Sequence, residues 1–320
     1  MATPTLRATR QSSNDHTALI EPVLEALGKI IVGKSEHLKL SVACLLARGH
    51  LLIEDVPGVG KTTLAHALAK ALGLTYQRIQ FTSDLLPADV LGVSVYQRES
   101  GRFEFHKGPI FSQLVLADEI NRATPKAQSA LLEAMEERQV TADGTTYRLP
   151  APFFVVATRN PVHQIGTFPL PESQLDRFLM QIELGYPEPS EERQLLASGE
   201  RRALVEQLQP ALSLEALLRL QDQVPLVHVA EPLLDYVQAV LAYTRQSGEF
   251  VSGLSPRAGI ALVRAAQSWA LMSGHGGVHP EDVQAVLTSI VAHRLQPAET
   301  SSIARGAAIG AAIIEAVPVP

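Results

Sequence analysis

Apolar positions in the first fifty residues recur at helical spacing, in two stretches between Ala18 and Ala47 that break at Val32-Gly33-Lys34. The fifteen residues before them are polar, with Arg7 and Arg10 and no apolar run, and are expected to form a flexible tail. From His50 onward the pattern changes. His50-Leu51-Leu52-Ile53 is a short run of the kind that suits a parallel strand covered on both faces. Thr75–Phe81, Leu114–Ala117, Phe153–Ala157 and Leu179–Leu184 are four more such segments. Between them lie helical patterns. Lys61 to Leu72 carries Leu64, Leu68 and Leu72 on one face and stops at Gly73, and a second helix opens with Thr124 as N-cap and Pro125 in its first turn. Five strands with intervening helices predict an α/β fold with a mainly parallel sheet.

Two hairpins interrupt this rhythm. In one, Val93 and Val95 alternate with polar residues, as do Phe103 and Phe105, around Glu99-Ser100-Gly101; the other runs from Val140 to Leu149 around Asp143-Gly144. After Tyr186-Pro187-Glu188-Pro189-Ser190 the strand signals cease, and five amphipathic helices are expected: Glu191–Leu204, Leu214–Gln221, Pro232–Arg245, Pro256–Met272 and Pro280–Leu295. The pattern therefore divides the chain into a tail (1–15), an α/β unit (16–186) and an all-helical unit (187–320).

Composition narrows the function. Of 320 residues, 46% are hydrophobic and 19% charged, which fits a folded globular chain and excludes general disorder. No stretch approaches the roughly 18 apolar residues of a membrane span, the longest candidate being Gly306–Ile314. With Cys44 as the single cysteine, a disulfide framework and a cysteine zinc cluster are both excluded. These features together lead to the expectation of a cytoplasmic protein without membrane insertion. The net charge of −6 and the lack of any basic run argue against a nucleic-acid partner, whose phosphates need neutralising. His50, His106, His163 and His275 read as loop or edge residues, and no transition-metal site is assigned.

The chemistry concentrates in Pro57-Gly58-Val59-Gly60-Lys61-Thr62, between a strand and a helix. Such a turn lets backbone N–H groups converge on phosphate oxygens beside a positive helix end. Lys61 would reach the β- and γ-phosphates, and the Thr62 hydroxyl would ligate Mg²⁺. Asp55 stands where the general pattern has glycine. Leu114–Ala117 ends in Asp118-Glu119. At a strand's C-terminal end, Asp118 suits the Mg²⁺ shell and Glu119 suits the polarisation of an attacking water.

These segments, with Ala157-Thr158-Arg159-Asn160-Pro161, resemble the AAA+ ATPases. Ala117-Asp118-Glu119-Ile120-Asn121-Arg122-Ala123 and Leu170-Pro171-Glu172-Ser173-Gln174-Leu175-Asp176-Arg177-Phe178 are similar to the MoxR family in particular. The resemblance spans about Ile31 to Leu295. It implies an AAA+ core with a five-stranded parallel sheet and a C-terminal helical lid. ATP and Mg²⁺ would sit on Asp55, Val56, Pro57, Gly58, Val59, Gly60, Lys61, Thr62 and Thr63, with Val32 and Gly33 near the adenine and Asp118 near the metal. It further implies that Asn160 is the first sensor, Arg177 an arginine finger reaching a neighbouring subunit, and Arg257 the second sensor, acting in cis or in trans. The implied assembly is a homo-oligomeric ring, most simply a hexamer, with chaperone-like action on a protein client, often alongside a von Willebrand A domain protein. Two alternatives share the core: a nucleic-acid motor, and a regulatory scaffold that binds ATP with little turnover.

Overall fold

The computed structural model describes residues 5–99, 101–160, 168–198, 201–304 and 306–319. Helices α1 (Thr5–Ile30) and α2 (Ser35–Leu46) lead into β1 (Leu51–Glu54), α3 (Lys61–Ala71) and β2 (Tyr76–Gln80). A short α4 (Pro87–Leu91) opens the first hairpin, β3 (Gly92–Gln97) and β4 (Arg102–Lys107). Next come β5 (Leu114–Asp118), α5 (Pro125–Glu137), the second hairpin of β6 (Gln139–Ala142) and β7 (Thr145–Arg148), and β8 (Phe154–Arg159). α6 (Glu172–Leu175) precedes the last strand, β9 (Met180–Ile182). The remainder is helical: α7 (Pro189–Ser198), α8 (Arg201–Gln207), α9 (Leu214–Gln223), α10 (Glu231–Gln246), α11 (Pro256–Met272), α12 (Pro280–Val291) and α13 (Ala307–Ala316).

The five apolar runs form one parallel sheet in the order β2-β5-β8-β1-β9. Successive side chains point to opposite faces, and both faces are covered, which is why β5 and most of β8 are buried without alternation. Leu51, Ile53, Leu114, Leu116, Phe154 and Val156 face α1, α2, α3 and the C-terminal helices. Leu52, Val115, Ala117, Val155 and Ala157 face the side of α5 and Val90 of α4. The core on the first face continues without interruption into α9, α10, α11, α12 and α13. Ser268 of α11 donates to the Ala43 carbonyl of α2 (2.8 Å), and Gln221 of α9 donates to the Leu45 carbonyl (2.8 Å).

Several expectations change. The segment read as a tail is helical from Thr5, as the first part of α1, which runs on through Pro22. Helix Glu191–Leu204 is two elements, α7 and α8, and the residues that divide them lie outside the described set. α10 starts at Glu231, so Pro232 is its second residue. The apolar Gly306–Ile314 segment becomes α13, packed on α10 and α12. His50 is buried within the core; its ring touches Phe153 edge-on, and Nδ1 accepts from the Val155 N–H (3.0 Å). Pro161 and His163 lie outside the described residues.

Candidate active site

Parallel strands bring the C-terminal ends of β1, β5 and β8 side by side, the edge where open α/β sheets bind ligands. β1 leaves into the glycine loop. Gly58 (φ +90°) and Gly60 (φ +98°) adopt left-handed backbone that side chains resist, and a Cβ at either would meet nothing within 4 Å. The loop thus faces open room beside the unpaired N–H groups at the start of α3. Lys61, the first residue of α3, is nearly buried and folds back over the loop. Its Nζ donates to the Asp55 carbonyl (2.5 Å), the Val56 carbonyl (3.2 Å) and Asn160 Oδ1 (3.2 Å). Burial lowers the Lys61 pKa, and the carboxylates of Asp55, Asp118, Glu119 and Glu54 oppose that shift.

Asn160, buried at the end of β8, joins the lysine to the acid: its Nδ2 donates to Glu119 Oε1 (3.2 Å). Glu119 has φ +57°, a left-handed conformation that costs energy in a residue with a side chain. Its carboxylate is further held by Gln80 Nε2 (3.0 Å) and Arg122 Nε (3.2 Å). Thr158 locks the adjacent backbone, since its hydroxyl donates to Asp118 Oδ1 (2.6 Å) and accepts from the Glu119 N–H (2.8 Å). Arg78 grips the other Asp118 oxygen (2.6 and 3.0 Å). A carboxylate keeps further lone pairs when so held. A hydroxyl at Thr62 and a carboxylate at Asp118 are hard-oxygen donors of the kind that suits Mg²⁺, beside a loop with open room at Gly58 and Gly60.

Arg177 and Arg257 are elsewhere. α5 runs back from the end of β5 to the opposite edge of the sheet, where Glu136 accepts from Arg177 (3.1 Å) and from Arg257 (3.2 Å). Arg294 donates to Asp176 Oδ1 (2.7 Å) and to the Phe178 carbonyl (2.7 Å), tying the end of α12 to the start of β9. A cavity of about 320 Å³ opens here, lined by Arg48, Arg138, Arg177, Arg257, Arg264 and Arg294 against only two carboxylates, Glu136 and Asp176. Arg48 and Arg138 both have positive φ. The lining is strongly basic, although Arg48 pairs with Asp222, Arg177 and Arg257 with Glu136, and Arg294 with Asp176.

The structure thus brings Lys61, Asp118, Glu119 and Asn160 together and places Arg177 with Arg257 at the far edge. Gly33 (φ +74°) lies against the Glu191 carboxylate at the start of α7. Thr158, Arg78, Gln80 and Glu136 escape a reading by motif. Their only signal is a polar residue inside or beside an apolar strand, and the pairing that gives them a role is long-range. Among the described residues one group, His275, His279 and Asp282, could gather a metal. Its imidazoles stack 4.6 Å apart at 19°, so their in-plane lone pairs do not converge, and Asp282 is engaged by His275 and by the His279 N–H that it caps.

Known proteins extend the match beyond motifs. The model of the ATPase family associated with various cellular activities (AAA) matches residues 50–180, and that of the AAA lid domain matches 242–312. The chain is 46% identical to Uncharacterized protein YeaC of Bacillus subtilis over 304 residues, covering 94% of this chain and 95% of that one. It is 41% identical to Chaperone MoxR1 of Mycobacterium tuberculosis over 285 residues (86% and 75% covered) and 34% identical to Protein MoxR of Paracoccus denitrificans over 322 residues (92% and 94%). A crystal structure described as a "putative ATPase" from Cytophaga hutchinsonii superposes with a TM-score of 0.88 at 36% identity, covering 99% of this chain and all of that one. With the phosphate loop, the Asp118-Glu119 strand end and the helical C-terminal region in these positions, the chain belongs to the MoxR family of AAA+ ATPases.

Proposed function

We propose that the protein hydrolyses ATP at the β1–β5–β8 edge and that the arginine cavity of a neighbouring copy completes each site, within a ring that is most simply a hexamer. The observation that carries this reading is the separation of the two halves. Lys61 and Glu119 stand at the C-terminal edge of the sheet, whereas six arginines surround a cavity at its N-terminal edge. A site divided in this way is completed only head to tail, and head-to-tail contacts close into a ring where the rotation between subunits closes.

Lys61 moves from the two loop carbonyls onto the β- and γ-phosphate oxygens, where the backbone N–H groups of the glycine loop and the start of α3 add donors. Thr62 and Asp118 would hold Mg²⁺, which would supply charge neutralisation to the phosphates. Glu119 orients the attacking water and takes up its proton, while Asn160 and Gln80 hold the carboxylate in place. Arg177 and Arg257, from the neighbour, meet the charge that develops on the transferring group. The adenine lies by Val32-Gly33. The work is done on a protein client in the cytoplasm, with a von Willebrand A domain protein as a fitting partner. Among the described residues no helix is long and apolar enough to cross a membrane, and the net charge of −6 disfavours nucleic acid. The aromatic tip of the first hairpin offers a surface for such a client: Tyr96 and Phe103 pack edge to face at 5.3 Å and are largely exposed.

Glu119→Gln tests the division of labour. It should bind ATP like the parent and lose turnover by roughly 10²–10⁴-fold, the range for a general base. Lys61→Ala should weaken ATP binding itself. Equal loss of affinity in both variants refutes the role given to Glu119.

A further inference from the structure

We infer that Asp55, the residue that departs from the general phosphate-loop pattern, is a positioning residue that fastens the phosphate loop to the segment leading into α7. Its side chain is nearly buried, and its two oxygens have different partners. Oδ1 accepts from the N–H of Val56, inside the loop (2.8 Å). Oδ2 accepts from the N–H of Gly185, 130 residues away (2.7 Å). Gly185 has φ +63° and begins the crossing from β9 to α7. A glycine at position 55 would leave both N–H groups without this acceptor.

A second tie holds the same crossing from the other side. Lys34 Nζ donates to the carbonyl of Tyr186 (2.9 Å), and one turn into α7 the Glu191 carboxylate packs against Gly33. The segment from Gly185 to Glu191 is thus clasped between the phosphate loop and the loop at Gly33. α7 lies at the surface, with Leu196 82% exposed. A displacement of the phosphate loop is therefore passed by Asp55 to the segment that stands over Gly33, so phosphate occupancy sets how firmly that side of the site is closed. The proposal rests on the nucleotide reading of the loop.

Because Asp55 and Lys34 hold one segment, their effects on nucleotide release should be coupled. We would measure dissociation of fluorescently labelled ADP with Mg²⁺ from the full-length parent, Asp55→Asn, Lys34→Met and the double variant. Each single variant should release ADP about tenfold faster, the effect of one charge-assisted hydrogen bond. The double variant should release it scarcely faster than either single one, since a segment freed at one end gains little from release at the other. A double variant near 100-fold, or an Asp55→Asn rate within twofold of the parent, overturns the proposal. Hydrogen exchange in the parent provides a second arm that needs no variant. Exchange in the peptide containing Gly185 and Tyr186 should slow several-fold when ADP binds, and unchanged exchange also overturns the clasp. A parent that fails to bind labelled ADP refutes the nucleotide reading instead, and the clasp with it.

Discussion

Mixing two inactive variants should restore a calculable fraction of activity. On the proposed reading, Arg177→Ala removes the finger and leaves the pocket, and Lys61→Ala removes the pocket and leaves the finger. The four residues of β1 rise about 3.3 Å each, so roughly 13 Å of sheet separates the two edges. Glu136 meanwhile holds Arg177 on the N-terminal side. That span exceeds the reach of an arginine side chain, so one chain does not unite its own Lys61 and Arg177. Alone, the finger variant should lose about 10³–10⁵-fold in turnover. In a random mixed ring, a productive interface needs an Arg177→Ala subunit followed by a Lys61→Ala subunit. At equal proportions this arrangement occurs at about one interface in four, whatever the ring size. Steady-state ATPase assays across mixing ratios should therefore peak near a quarter of parental activity at 1:1 and fall symmetrically on either side. Native mass spectrometry would confirm that rings contain both variants. If verified mixed rings show no recovery at any ratio, the finger does not act across the interface and the two-edge reasoning fails.

Arg257→Ala should complement Lys61→Ala in the same assay, because Glu136 holds Arg257 beside Arg177 on the same edge; complementation of Arg177→Ala by Lys61→Ala but not of an inactive Arg257→Ala would assign the second arginine to its own subunit's nucleotide. Shortening either hairpin should spare ATP binding but blunt the change in ATPase rate caused by a cognate protein, whereas DNA or RNA should leave the rate unchanged at near-physiological salt; several-fold stimulation by nucleic acid contradicts the client class. The protein should lose stability in mild acid. Burial, helped by Arg138, lowers the His50 pKa from 6.5 to about 4, and Nδ1 already accepts a hydrogen bond from Val155. The unfolded chain therefore binds a proton that the folded chain refuses, so stability falls as pH drops from 6.5 towards 4, by about 3 kcal/mol in all. Urea unfolding across this window should show that slope, reduced in His50→Asn; an equal slope in both assigns the effect to other groups.

The parallel strands and the phosphate loop were legible because buried strands are written as uninterrupted apolar runs and a strand–glycine–helix turn is local. Asp118 and Glu119 were legible for the same reason, standing where such a run ends. What was not legible depends on distant pairing. Glu136 and Arg257 are 121 residues apart and meet only because α5 returns across the sheet. His50 looked like a residue at a strand edge, but Val155 and the Met135 carbonyl satisfy both ring nitrogens and allow it into the core. The role of Asp55 was hidden in the same way, since its partner lies beyond the last strand.

The uninterrupted core beneath α9 to α13 also bears on cooperativity. Two family models divide the chain at residues that suggest separable modules, yet Leu51 and Phe154 of the sheet belong to the same apolar cluster as Leu262 and Ile290 of α11 and α12. Neither half can shed the other without exposing that cluster to water, which costs about 1.5–3 kcal/mol for each large side chain. Calorimetry should accordingly register one endotherm rather than two, and a fragment starting near the crossing at Gly185 should collect in inclusion bodies. Evolution of this chain by exchanging C-terminal halves with distant relatives would be blocked by packing well before it was blocked by chemistry.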